Sequence, residues 1–94
     1  MEMYNPCHPG EILKNTYLPD YNLSVSAFAL KIGVSRTTAS ELVNCKNRIT
    51  AEMAIKLEKA FKVSAQFWLD MQQQYDLWHA RQRVNLDNVE VIAL

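Results

Sequence analysis

Between Ser24 and Lys46 the chain reads SVSAFALKIGVSRTTASELVNCK. Its single glycine, Gly33, divides two short helical patterns and restricts what can form around it. Glycine enters the left-handed region without a Cβ penalty, so it stops a helix without disturbing the next one. Before it, Ser24 is a candidate N-cap, and Phe28, Ala29 and Ile32 recur at helical spacing. After it, Val34 is an apolar pin under the turn. Ser35 is a second candidate cap, and Ala39 and Leu42 give the next helix its buried stripe. Two helices crossing steeply through a short turn need a small side chain at the crossing, which Ala29 supplies. This is helix-turn-helix spacing. An ordinary αα-hairpin inside a helical core uses the same spacing, so the exposed face decides between them.

That face is polar without the usual Glu and Lys pairs. Arg36, Thr37, Ser40 and Glu41 point outward, with Ser35 and Thr38 beside them at the helix start. Such donors and acceptors suit base edges and phosphates. Glu41 is placed to accept from a cytosine amine or to orient Arg36. The loop that follows, NCKNRI, sets Lys46, Asn47 and Arg48 where flanking phosphates would lie. These nine residues are the candidate DNA contacts.

The rest of the chain reads as three more helices. Pro9 suits the first turn of helix one and Glu11 its positive end, while Ile12, Leu13 and Tyr17 form its stripe. Residues 1–8 are expected to be an irregular arm, and Pro19 is expected just beyond the helix end. Thr50 caps helix four, with Met53, Ala54, Leu57 and Phe61 as core. Ser64 caps helix five, with Phe67, Trp68, Met71, Tyr75 and Trp78 along it. Helices one to four cover about half of helix five. Leu77 and Trp78 near its far end, with Val84, Leu86, Val89, Val91 and Ile92, are left as a candidate dimer interface. The expectation is one all-α unit over 1–83 and a tail over 84–94 that forms a short strand across a two-fold axis.

Charge supports the assignment once it is located. The chain of 94 residues carries ten basic and ten acidic side chains, for a net charge of zero. Residues 31–62 hold seven lysines and arginines against three glutamates, a local charge of +4. A local basic face matters to DNA more than the global balance. No apolar run approaches the ~20 residues that span a membrane. Residues 1–11 do not read as a signal peptide. Cys7 and Cys45 are too few for a disulfide framework and read as reduced cytoplasmic thiols. Cys7, His8, Cys45 and His79 lack metal-ligand spacing. Neither a metal nor a cofactor is expected. No glycine-rich phosphate loop or Ser-His-Asp pattern is present, so an enzyme is not expected.

The helix-turn-helix and its following helices resemble the Cro/C1-type, lambda-repressor-like family. A narrower resemblance rests on NPCHPGEIL at 5–13, the stretch 24–46, RITAEMAIKLEKAF at 48–61 and SAQFWLDMQQQYDL at 64–77. Together these resemble HigA-family, or VapI-like, antitoxins. The resemblance implies a five-helix DNA-binding domain with a short C-terminal extension. It implies a partner toxin of RelE-like type that degrades mRNA, and repression of its own operon by a homodimer on a palindromic operator. It also marks three departures. Val25 stands where a phosphate-contacting glutamine is common, Ala39 where a larger aliphatic is usual, and Cys45 where glycine follows the recognition helix. A Cro/C1-type repressor without a toxin, and a helical protein-interaction module without DNA binding, are the alternatives.

Overall fold

The computed structural model describes residues 5–93. The first four residues of the expected arm and the last residue of the tail lie outside them. Five helices follow one another with short connections. Helix α1 passes without interruption through Pro9–Ile12, Leu13–Tyr17 and Leu18–Asp20. Helix α2 is Val25–Ile32, α3 is Arg36–Val43, α4 is Ala51–Phe61 and α5 is Ala65–Arg83.

Each start is fixed by one side chain. The Oγ atoms of Ser24, Ser35 and Ser64 and the Oγ1 of Thr50 accept from the amides of Ala27, Thr38, Phe67 and Met53, at 3.0–3.2 Å. These are the four caps expected from the sequence. At α1 the cap is His8, whose Nδ1 accepts from the Gly10 amide at 2.8 Å. The stops follow a second rule. Asn22, Gly33, Cys45 and Lys62 all enter the left-handed region, with φ of 57°, 72°, 63° and 60°. Only one of the four is a glycine.

Pro19 lies inside α1, not beyond it. A proline in a regular helix lacks an amide and its ring meets the carbonyl four residues back. Here Leu13–Tyr17 widens into a π-helical turn, and the Leu18 amide donates to the Leu13 carbonyl five residues back. The wider turn makes room for the ring, so the helix continues to Asp20.

The core gathers Leu13, Phe28, Ile32, Leu42, Ile49, Leu57 and Trp68 from all five helices and the loop before α4. Ala29 and Ala39 are buried where α2 crosses α3. Trp68 is fully buried, with Tyr17 and Phe61 rings 5.2 and 6.3 Å away. Burying a ring of this size contributes about 3 kcal/mol or more. Helix α5 has 19 residues, about 28 Å, and only Trp68 and Gln72, both in its first half, are buried. All described residues from Arg81 onward are exposed. Residues 84–93 make one turn, Val89 amide to Leu86 carbonyl at 3.0 Å, and no strand. A strand there lacks a ladder partner within one chain.

Candidate nucleic-acid interface

The second helix of the motif, α3, presents Arg36, Thr37, Ser40 and Glu41 along one side, and its C-cap Asn44 continues the row, at intervals of one, three, one and three residues. Arg36 and Thr37 are exposed in the first turn. Ser35 and Thr38 are used differently. The Ser35 hydroxyl accepts from the Thr38 amide at 3.0 Å and donates to the Thr38 Oγ1 at 2.9 Å. Those two hydroxyls hold the helix start, leaving Arg36 and Thr37 as its outermost groups.

Glu41 does not orient Arg36. Its Oε1 accepts from Asn47 Nδ2 at 2.9 Å, tying the following loop back to the helix. Asn44 was not among the expected residues, although it falls one turn after Ser40. Its Nδ2 donates to the Ser40 carbonyl at 2.8 Å, and its Oδ1 accepts from Lys14 Nζ at 3.1 Å. Lys14 of α1 therefore joins Lys46 beside the end of α3.

Arg48 is exposed but ion-paired with Asp76 of α5. Asp76 Oδ1 accepts from Gln72 Nε2 at 3.0 Å, and Gln72 Oε1 accepts from the Ile49 amide at 2.7 Å. Gln72 is 2% exposed, so this chain of bonds fixes the loop onto α5 from inside. Partial burial pushes the Asp76 carboxyl up, but the hydrogen bonds from Arg48 and Gln72 hold it below the usual carboxylate range.

The arm closes the other side. His8 is buried with its ring edge against Tyr75, 4.9 Å between centroids. Burial lowers its pKa, against the opposing pull of a main-chain hydrogen bond with Asn47 and the charges of Asp76 and Glu11. A neutral ring is what the cap needs, since Nδ1 must accept. Gly10 lies directly on the Leu42 carbonyl. The positive end of α1 thus abuts the negative end of α3, a favourable dipole arrangement. The HPGE block fastens the end of the outward-facing helix. Burial raises the pKa of the nearby Cys45 thiol.

A packed helical pair with a capped, polar, outward second helix and a pinned loop behind it defines a helix-turn-helix domain. A helix-turn-helix family model matches residues 20–68. The chain belongs to the Cro/C1-type helix-turn-helix family, within the group that includes the HigA antitoxins. It is 48% identical over 77 residues to virulence-associated protein A of Dichelobacter nodosus, covering 81% of this chain and 76% of that one. It is 40% identical over 78 residues to antitoxin HigA-1 of Vibrio cholerae, covering 83% and 73%. A transcriptional regulator of Haemophilus influenzae shares 45% over 73 residues, covering 78% and 68%. Among solved structures, Pseudomonas aeruginosa antitoxin HigA with the higBA promoter superposes with TM-score 0.83 at 35% identity, covering 95% and 99%. The family is one of DNA-binding regulators and not an enzyme class. No helix among the described residues is long and apolar enough to cross a membrane.

Proposed function

We propose that this protein is the antitoxin of a type II toxin–antitoxin module. It binds and neutralises a RelE-like, mRNA-degrading toxin, and represses its own operon as a homodimer on a palindromic operator. The reading rests on the outward face of α3, Arg36, Thr37, Ser40, Glu41 and Asn44, framed by Lys14 and Lys46. Arg36 reads a guanine edge from the first turn. Lys46 and Asn47 contact backbone phosphates, and Arg48 does so while still paired with Asp76. One such helix covers only a few base pairs, so two copies sit about 34 Å apart in successive major grooves. The dimer forms through the far end of α5 and the tail, where Leu77, Val84, Leu86, Val89, Val91 and Ile92 are exposed and Trp78 is half-buried. The solved HigA with its promoter, and an antitoxin GraA with its operator, support the DNA half of this reading.

The Haemophilus influenzae relative, named only as a transcriptional regulator, favours a second reading: a repressor without a toxin. Binding of the purified protein to its own upstream DNA, with and without the product of the adjacent gene, separates the two. The antitoxin reading expects a complex with that product and relief of its toxicity. Operator binding with no such complex leaves a plain repressor.

A further inference from the structure

A groove runs between α2 and α4. Tyr21, Phe28 and Phe61 line an apolar hollow of about 190 Å³, room for one or two aliphatic side chains. Lys31 borders this hollow, and Lys56 and Lys59 continue along the groove from it. Among the described residues the Arg48–Asp76 pair is the one salt bridge, so none of the three lysines has a carboxylate at ion-pair distance. Helix α3 contributes nothing to this groove. Phosphates of a duplex need the cations but have no use for an aromatic-lined hollow. An acidic segment with aliphatic anchors needs both.

The chain carries a segment of that chemistry. Residues 84–93, VNLDNVEVIA, hold Asp87 and Glu90 and no lysine or arginine. All ten are exposed, Ile92 at 97%. The groove of the same copy is badly placed for them. It opens beside Ala60 and Phe61, just before α5 begins, whereas the tail leaves α5 at the other end, about 28 Å away. Ten residues at about 3.3 Å each span about 33 Å, so the tail reaches back only if drawn out along the whole helix. In a two-fold dimer whose α5 far ends pack antiparallel, the tail of one copy leaves α5 beside the middle of the partner's helix and runs on toward its start, about 14 Å further, where the partner's groove opens.

We infer that the acidic, aliphatic tail of one copy seats in the lysine-lined groove of a second copy, Asp87 and Glu90 against Lys31, Lys56 and Lys59. This rests on the proposed dimer through α5 and the tail, and adds the surface that receives it. The exchange is reciprocal, so each dimer contains two such contacts.

Charge reversal tests it, with self-association of the full chain followed by analytical ultracentrifugation. All four altered positions are exposed, and circular dichroism checks that each variant folds. Lys56→Glu with Lys59→Glu raises the dimer dissociation constant roughly tenfold or more, and so does Asp87→Lys with Glu90→Lys. Mixing these two proteins restores association, because in the mixed dimer both tails meet grooves of opposite charge. High salt weakens the unaltered dimer. If the quadruple variant recovers while the mixture does not, each tail seats in its own groove and the inference is overturned. If charge reversal changes nothing but truncation after Arg83 gives a monomer, the tail interface stands and the groove is wrong. A truncated protein that stays dimeric removes the underlying dimer reading itself.

Discussion

Gly10 packs so closely on α3 that a β-carbon built on it would lie 2.0 Å from the Leu42 carbonyl oxygen. Backbone meets backbone there, so no rotamer change relieves the contact. Through it, the start of the first helix fixes the end of the helix that faces outward.

Gly10→Ala therefore sets two effects against each other. Alanine is the better helix former by about 1 kcal/mol. Forcing the two helices apart costs about 3 kcal/mol, the upper end for overpacking, because the obstructing atom is main chain. A net loss of about 2 kcal/mol is expected, a fall in melting temperature of roughly 10 °C for a domain of this size. Thermal unfolding measures it. An unchanged melting temperature would show that α1 slides freely on α3.

Cys45 ends α3 in the left-handed conformation, where a side chain costs about 1 kcal/mol or more. Cys45→Gly should stabilise the fold by about 0.5–1 kcal/mol, after allowing for glycine's greater freedom in the unfolded chain. Cys45→Ala keeps the same backbone penalty and should not stabilise. Equal gains from both would trace the effect to the thiol and not to the backbone.

Gln72→Leu keeps the volume but leaves the Ile49 amide buried without its acceptor. The cost should be about 1–3 kcal/mol. Amide exchange at Ile49 should also accelerate ahead of global unfolding. Exchange at the parent rate would mean that the amide finds another partner.

His8 gives the fold a pH dependence with a definite sign. Its folded pKa is lowered from 6.5, chiefly by burial. Below about pH 6.5 the unfolded chain binds a proton that the folded one does not, so stability falls as pH falls, until the folded pKa is passed. Asp76, also lowered, adds a loss in the same direction below its ordinary value of 3.8. Asparagine keeps a cap acceptor without titrating. His8→Asn should therefore flatten urea-unfolding stability just below about pH 6.5 while leaving the acid loss from Asp76. A slope that persists undiminished in the variant would assign it elsewhere.

What the sequence revealed was local. Ser24, Ser35, Thr50 and Ser64 announce helix starts because a cap bonds within three residues of itself. Gly33 announces a stop for a similar reason. Asn22, Cys45 and Lys62 make the same left-handed stop with side chains that are tolerated there and not required. Asparagine's tolerance of that region and the glycine that the resemblance puts at position 45 are weak signals for the first two, and nothing marks Lys62. Pro19 normally marks a helix end, and only the wider turn before it cancels that signal. Gln72 had a usable signal, one turn after Trp68 on the buried stripe. The Arg48–Asp76 pair joins positions 28 apart and depends on how α5 docks, which no local pattern encodes. By sequence His8 is weighed only as a metal ligand and rejected, whereas its place before Pro-Gly-Glu at a helix start gives it the cap.

The basic residues around α3 should separate by role. Arg36 is exposed in the first turn, where a guanidinium reaches a guanine edge with two hydrogen bonds. Arg36→Ala should cost about 1–3 kcal/mol on the operator and relax preference at one base pair, with little change on unrelated DNA. Lys46→Ala, next to the helix end, should weaken binding to all sequences and lower the salt slope by about one. Arg48→Ala should resemble Lys46→Ala in its salt slope. It should also lower folding stability, because Asp76 loses its cation and the loop loses one of its ties to α5. Binding isotherms on operator and scrambled duplexes at several salt concentrations, with melting curves alongside, resolve the three patterns. Arg36→Ala binding the operator as tightly as the parent protein would remove Arg36 from the base-reading set and shift that role to Thr37, Ser40 and Asn44.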